Sequence, residues 1–177
     1  MSKLDLVTLQ FDHKLLVERS LSSIEKLTNL SVHLYETNHD IDQYFNIERL
    51  QYDAAKILGM FEREKTLHKM LVYTSVDLFI PIFTFVFGLA KLGGSVAIVS
   101  SHRLRNEYYG LPTDNDLLQE RLIKETVHEL GHLLNLRHCM NFQCVMASSN
   151  SIDELDIKQN KYCSLCQSKL QQFFQQN

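Results

Sequence analysis

The stretch HELGHLLNLRHCMNFQCVM, His128 to Met146, decides how this chain is read. It opens inside the clearest helical pattern of the sequence, Asp116 to Asn135, which follows a polar stretch where Thr113, Asp114 or Asp116 could serve as the helix cap. At about 100° per residue, Ile123, Val127, Leu130 and Leu134 fall within ~60° of one another and make the face expected to pack on a core. His128 and His132 project nearly opposite it. Four residues apart, their imidazoles stack one turn apart, close enough for a single cation. Glu129 can reach a water on that cation without taking a ligand position. This suits a zinc peptidase, in which the carboxylate takes a proton from the metal-activated water and later passes it to the leaving amine.

An isolated HExxH occurs by chance on surface helices, so the flanking residues carry the weight. His138 lies six positions beyond His132 and, on a continued helix, would point away from the other two imidazoles. It joins them only where the helix stops and the chain turns back. Asn135 stands at that point, and Asn, after Gly, is the residue that most readily takes the left-handed conformation ending a helix. The spacing therefore predicts His128, His132 and His138 as ligands, with one coordination position left open.

Cys139 and Cys144 form C-x4-C, and Cys163 and Cys166 form C-x2-C. Two such pairs joined by a loop predict a structural zinc site closed by four thiolates; buried thiols or a redox C-x2-C pair are the competing readings. A redox pair normally opens a helix after a strand in a thioredoxin-like unit, which this terminus does not resemble. The second zinc is expected to hold a tail too short for its own core.

Working outward, 177 residues with 45% hydrophobic and 22% charged content, six Gly and two Pro describe a packed globular chain and exclude disordered or collagen-like classes. A formal net charge of -3 offers no basic field, which argues against nucleic acid or an anionic membrane as partner. The first twenty residues lack a secretory pattern, and the longest apolar run, Leu78 to Ala90, is too short to span a bilayer, so a cytoplasmic protein is expected. All four Cys and three of the eight His lie after position 127. That crowding agrees with metal sites in a reducing compartment, where disulfides rarely persist.

Upstream, periodicity predicts a strand at Leu4–Gln10, a helix through Leu15 to Leu27, a strand at Ser31–Glu36, a helix at Ile47–Glu64 and a strand at Met70–Val76. Adjacent strands are expected at Phe83–Phe87 and Ser95–Ser100, separated by a GLAKLGG turn. Phe79, Phe83, Phe85 and Phe87 alternate as one core-packing face of a strand would. The order β-α-β-α-β-β-β-α predicts an α+β chain with a mixed sheet carrying helices, followed by the Cys-bearing tail. No repeat or linker divides it, so residues 1–177 are read as one catalytic domain, with a sheet-and-helix part over 1–135 and a small C-terminal part over 136–177.

The motif HELGHLLNLRHCMNFQCVM, followed after sixteen residues by CSLC, resembles that of the archaemetzincins, a branch of the metzincin zinc peptidases. The family pattern is HExxHxxGxxHC, a second Cys, a Met two residues on and a distant CxxC. SVDLFIPIFTFVFGLA and SVAIVSSHRL are similar to the sheet segments that precede the active-site helix in this family. The resemblance implies a metzincin-like zincin fold with a twisted mixed sheet, and two Zn2+ per chain. It implies a catalytic zinc on His128, His132 and His138, Glu129 as general base and acid, and Met146 as the Met-turn residue. It implies a structural zinc on Cys139, Cys144, Cys163 and Cys166. It also implies an upper-rim strand at Thr84–Gly88 that pairs with an extended peptide or protein substrate. Asn135 replaces the family Gly, and the Ala147–Tyr162 loop is one residue shorter than usual.

His13, His33, His39, His68 and His102 lack ligand spacing and receive no role. Arg103, Arg105 and Glu107 read as a solvated strand exit. Tyr108 or Tyr109 could reach an oxyanion, although no spacing shows it. The alternative to a peptidase is a catalytically silent zinc-binding or peptide-binding module that keeps both metals. An intact Glu129 favours the enzyme.

Overall fold

The computed structural model describes residues 3–28, 30–64 and 66–176, so the ends of the 1–177 span lie outside the described residues. Strands β1 (Lys3–Leu9), β2 (Ser31–Thr37), β5 (Lys69–Thr74), β7 (Gly88–Ala90) and β8 (Val96–Ser100) build a five-stranded sheet in the order β2-β1-β5-β8-β7. All neighbours are parallel except β7, which runs antiparallel to β8 and closes one edge. A second, three-stranded sheet joins β3 (Phe45–Asn46), β4 (Gln51–Asp53) and β6 (Leu78–Phe79).

Parallel strands need both faces covered, and their residues alternate between two cores. Leu71, Tyr73, Ala97 and Val99 pack against helices α1 (Lys14–Thr28) and α3 (Asn115–Leu133). Met70, Val72, Val96 and Ile98 pack against α2 (Ala54–Glu62) through Ile57, Leu58 and Phe61. α3 is further tied to the sheet by a 2.6 Å hydrogen bond between the Tyr73 and Thr126 hydroxyls. Beyond it come α4 (Ile152–Ile157) and α5 (Ser164–Gln176), two helices in the tail that hydrophobic patterning did not predict.

The Ile47–Glu64 helix is corrected to Ala54–Glu62. The carboxylate of Asp53 accepts the N–H groups of Ala55 and Lys56 and so starts the helix there, while Leu50 sits at φ 53, outside the helical region, with Ile47 and Leu50 exposed. The Phe83–Phe87 strand is also corrected. Pro81 lacks an N–H, the chain turns between Ile80 and Phe83, and only Gly88–Ala90, placed in the turn by the sequence reading, pairs with β8. The turn itself is Lys91 to Gly94. Phe79 and Phe87 are core, whereas Ile82 and Phe83 face solvent.

The face expected of Ile123, Val127, Leu130 and Leu134 divides, because α3 is buried on two sides. Leu130 joins Leu118, Leu122 and Leu133 against the sheet, whereas Ile123, Val127 and Leu134 pack on Val145, Met146 and Leu170 of the tail. Arg103 is no solvated exit: it grips Asp77 with two 2.7 Å bonds and lies over the rings of Phe85 and Tyr108.

The expected stop at Asn135 is present. Asn135 has φ 67, its N–H donates to the His132 carbonyl, and the Leu136 N–H donates to the Gly131 carbonyl, which together form a Schellman ending. Asn135→Ala is expected to cost about 1 kcal/mol, while Asn135→Gly holds or gains stability. In thermal unfolding, that places the Ala variant roughly 2–4 °C below the wild type; equal melting would remove the left-handed turn from this account.

Candidate active site

α3 begins where the Asp114 side chain accepts the Leu117 N–H, and runs without interruption to the Asn135 turn, presenting His128, Glu129 and His132 along one side. They open on a cleft of about 540 Å³, lined opposite by the segment from Thr84 to Ala90. The turn at Asn135 brings His138 to the other two: the ring centroid of His138 lies 5.3 Å from that of His128 and 4.9 Å from that of His132. Ligand atoms of the three rings all fall within 4.8 Å of one another.

Backbone carbonyls orient the rings. His128 Nδ1 is 2.8 Å from the Val145 carbonyl, and His132 Nδ1 is 2.8 Å from that of Leu136. A carbonyl only accepts, so each Nδ1 carries the proton and each Nε2 of the neutral ring carries a lone pair. The two Nε2 atoms face each other at 3.1 Å. Two lone pairs at that separation repel unless a cation lies between them, so the donor set fits a metal ion. Burial holds the three imidazoles below their usual pKa, in the neutral form that ligates.

Glu129 is 4% exposed, and its Oε2 has no hydrogen-bond partner. Burial first, and the charge of Glu125 second, push its carboxyl well above the usual range; burial likewise raises Glu125, which is hydrogen-bonded to Glu129. Gly88 of β7 packs directly on Glu129, where a Cβ would come within 2.8 Å of the carboxylate. Met146 is fully buried beneath the helix against Gly131, whereas Met140 is wholly exposed.

The four sulfurs of Cys139, Cys144, Cys163 and Cys166 also fall within 4.8 Å of one another, with Cys139–Cys163 and Cys144–Cys166 each at 3.8 Å. A tetrahedral site with bonds of ~2.3 Å has edges of ~3.8 Å, so this set fits a zinc ion too. The Cys166 backbone amide, above all, brings the Cys163 thiol down to about 7, while burial raises Cys144 and Cys166. The two donor sets meet at the His138–Cys139 peptide bond, and the Cys139 N–H donates to the Met146 carbonyl.

His13, His33, His39, His68 and His102, and likewise Tyr108 and Tyr109, do not line the cleft. Tyr109 instead donates its hydroxyl to the Arg103 carbonyl. Glu125, Lys158 and the contact of Gly88 with Glu129 went unnoticed in the sequence. Glu125 could have been found, since it stands one turn before Glu129 on the same face. Gly88 and Lys158 carry no such signal. Lys158 reaches the cleft because α4 is fastened to α3 by Arg121, paired with the Asp156 carboxylate at 2.6 and 2.8 Å, and by Lys124, which donates to the Asp156 carbonyl.

Three imidazoles around one point, an adjoining buried carboxylate and an open cleft define a metallohydrolase. The sequence profile of peptidase family M54 matches residues 26–172. The archaemetzincin of Methanocaldococcus jannaschii is 44% identical over 133 residues, which is 75% of this chain and 73% of that one. The archaemetzincin of Saccharolobus solfataricus is 36% identical, covering 96% and 93% of the two chains. Among solved structures, a zinc-dependent peptidase from Methanocorpusculum labreanum superposes with a TM-score of 0.87 at 32% identity, covering 94% of this chain and 99% of that one. The archaemetzincin of Archaeoglobus fulgidus, complexed with malonate, gives 0.81 at 34% identity with the same coverage. The chain belongs to peptidase family M54, the archaemetzincins.

Gly131→Ala would drive a methyl group into the sulfur of Met146 and the ring of Tyr162. Overpacking of this kind costs about 1–3 kcal/mol and outweighs the roughly 1 kcal/mol that Ala gains over Gly within a helix. The expected result is a lower thermal midpoint; a variant that melts above wild type would show that Met146 yields at no cost.

Proposed function

We propose that this chain hydrolyses peptide bonds in peptide or protein substrates, with Glu129 as general base and acid and with a catalytic zinc held by His128, His132 and His138. A second, structural zinc is held by Cys139, Cys144, Cys163 and Cys166. The observation that carries the reading is the buried, unpartnered Oε2 of Glu129 beside three converging imidazoles. A structural or peptide-holding site has no use for such an oxygen, and leaving it unpaired is costly.

When bound, zinc supplies Lewis acidity for the attacking water and the scissile carbonyl. Glu129 accepts the proton of that water and delivers it to the departing amine, and its raised pKa suits a group that must both take and give. Glu125 holds one carboxylate oxygen of Glu129 by a hydrogen bond, which leaves Oε2 free for this work. Gly88 allows β7 to approach the carboxylate, and the free edge of β7 receives an extended peptide by strand addition. In this reading the rim expected at Thr84–Gly88 is shifted to Gly88–Ala90. Met146 acts as the Met-turn residue, giving the histidine site an apolar floor against Gly131.

No helix among the described residues is long and apolar enough to cross a membrane. A cytoplasmic setting agrees with four clustered, unbridged thiols poised for metal rather than for disulfides.

Metal analysis of the purified chain is expected to give two zinc ions. His132→Ala should keep only the cysteine-bound zinc, and Cys163→Ser should lose that one together with thermal stability. Glu129→Ala should keep both while lowering kcat/KM on a peptide library about 10²–10⁴-fold. A Glu129→Ala chain with the cleavage profile of wild type would leave only a binding module.

A further inference from the structure

Lys158 has no part in the chemistry above, yet it is the most deeply buried residue of the cleft wall, at 3% exposure. Among the described residues it enters no ion pair and no side-chain hydrogen bond, which leaves the three N–H donors of its ammonium unspent. The Nζ itself keeps contact with the cleft, where a ligand can reach it. Ser149, which also lines the cleft, has a buried hydroxyl without a partner.

The titratable groups facing Lys158 are Glu125, Glu129, Cys144 and Glu154. None of these groups lies within ion-pair contact of the Lys158 ammonium. The cleft wall thus holds a surplus of hydrogen-bond donors. An ammonium or guanidinium of a substrate would meet like charge at Lys158. A carboxylate offers two oxygens and about four lone pairs, which the lysine and the Ser149 hydroxyl can fill. Arg137 also lines the cleft but is exposed, so its charge is hydrated and screened.

We propose that Lys158, assisted by Ser149, is the specificity-determining residue of this cleft and receives a carboxylate of the peptide, from an acidic side chain or from the chain terminus. The inference rests on the peptidase reading, because it takes the cleft to be the substrate site.

The test uses fluorescent peptides identical except for one internal Glu, Gln or Lys, each made as the free acid and as the C-terminal amide. They are titrated into the zinc-loaded full chain at low temperature and followed by anisotropy before turnover. Carboxylate-bearing peptides are expected to bind about 10-fold more tightly than neutral ones, as a charge-assisted hydrogen bond supplies. The Glu–Gln gap reports a side-chain source and the acid–amide gap a terminal one. Lys158→Met should abolish the gap and Lys158→Arg should keep it. Absence of both gaps in wild type overturns the proposal, as does a gap that survives in Lys158→Met. Where that variant does not fold, Ser149→Ala must narrow the gap several-fold, and an unchanged gap overturns the proposal equally. Selective binding without cleavage of any peptide counts against the peptidase reading alone; cleavage without selectivity counts against Lys158 alone.

Discussion

Everything at the site depends on where one helix ends. Had α3 continued past Leu134, His138 would have swung away from His132, and Leu136 could not have offered it a carbonyl. The left-handed Asn135 reverses the chain within two residues. The same turn therefore orients one imidazole through the Leu136 carbonyl and delivers another. It also sets the chain toward Val145, whose carbonyl orients the remaining ring. A single backbone conformation that disfavours most side chains thus governs all three nitrogens.

The rest of the fold holds that helix still. α3 is buried on two sides, by Leu118, Leu122, Leu130 and Leu133 toward the sheet and by Ile123, Val127 and Leu134 toward the tail. Arg121 and Lys124 fasten it further to α4 through Asp156. The only side left open is the one bearing His128, Glu129 and His132, and there polar groups remain unsatisfied. Buried polar groups without partners are uncommon in native proteins; here Glu129 and Ser149 both line one cleft.

What was legible in the sequence follows from how local each signal is. The histidines, the helix stop and the cysteine pairs are defined by spacing within one segment, and the structure brings each set together. β1 was legible from its alternation of apolar and polar residues, and the parallel strands β5 and β8 because burial on both faces gives near-continuous apolar runs. Ile47 to Phe61 misled, since helical periodicity there is overruled by the Asp53 cap and the left-handed Leu50. Phe83 to Phe87 misled similarly: alternation mimics a strand, but after Pro81 and the turn at Ile80, Val86 makes only a single bridge, to Leu78, and β7 begins at Gly88. Lys158 was invisible because its position is fixed by one ion pair and one hydrogen bond contributed from another element, and nothing in its own neighbourhood of the chain announces them.

Gly88 gives this arrangement an unusual vulnerability. The strand that lines the cleft and the carboxylate of Glu129 are in contact only because a methyl group is missing from one residue. Neither donor set includes that residue, and neither would notice its replacement. A lineage could therefore acquire a side chain at position 88, keep every histidine and cysteine, and still lose the resting place of the Glu129 carboxylate. Within such a family, an intact metal signature and a working enzyme are separable traits, divided by the volume of a single carbon.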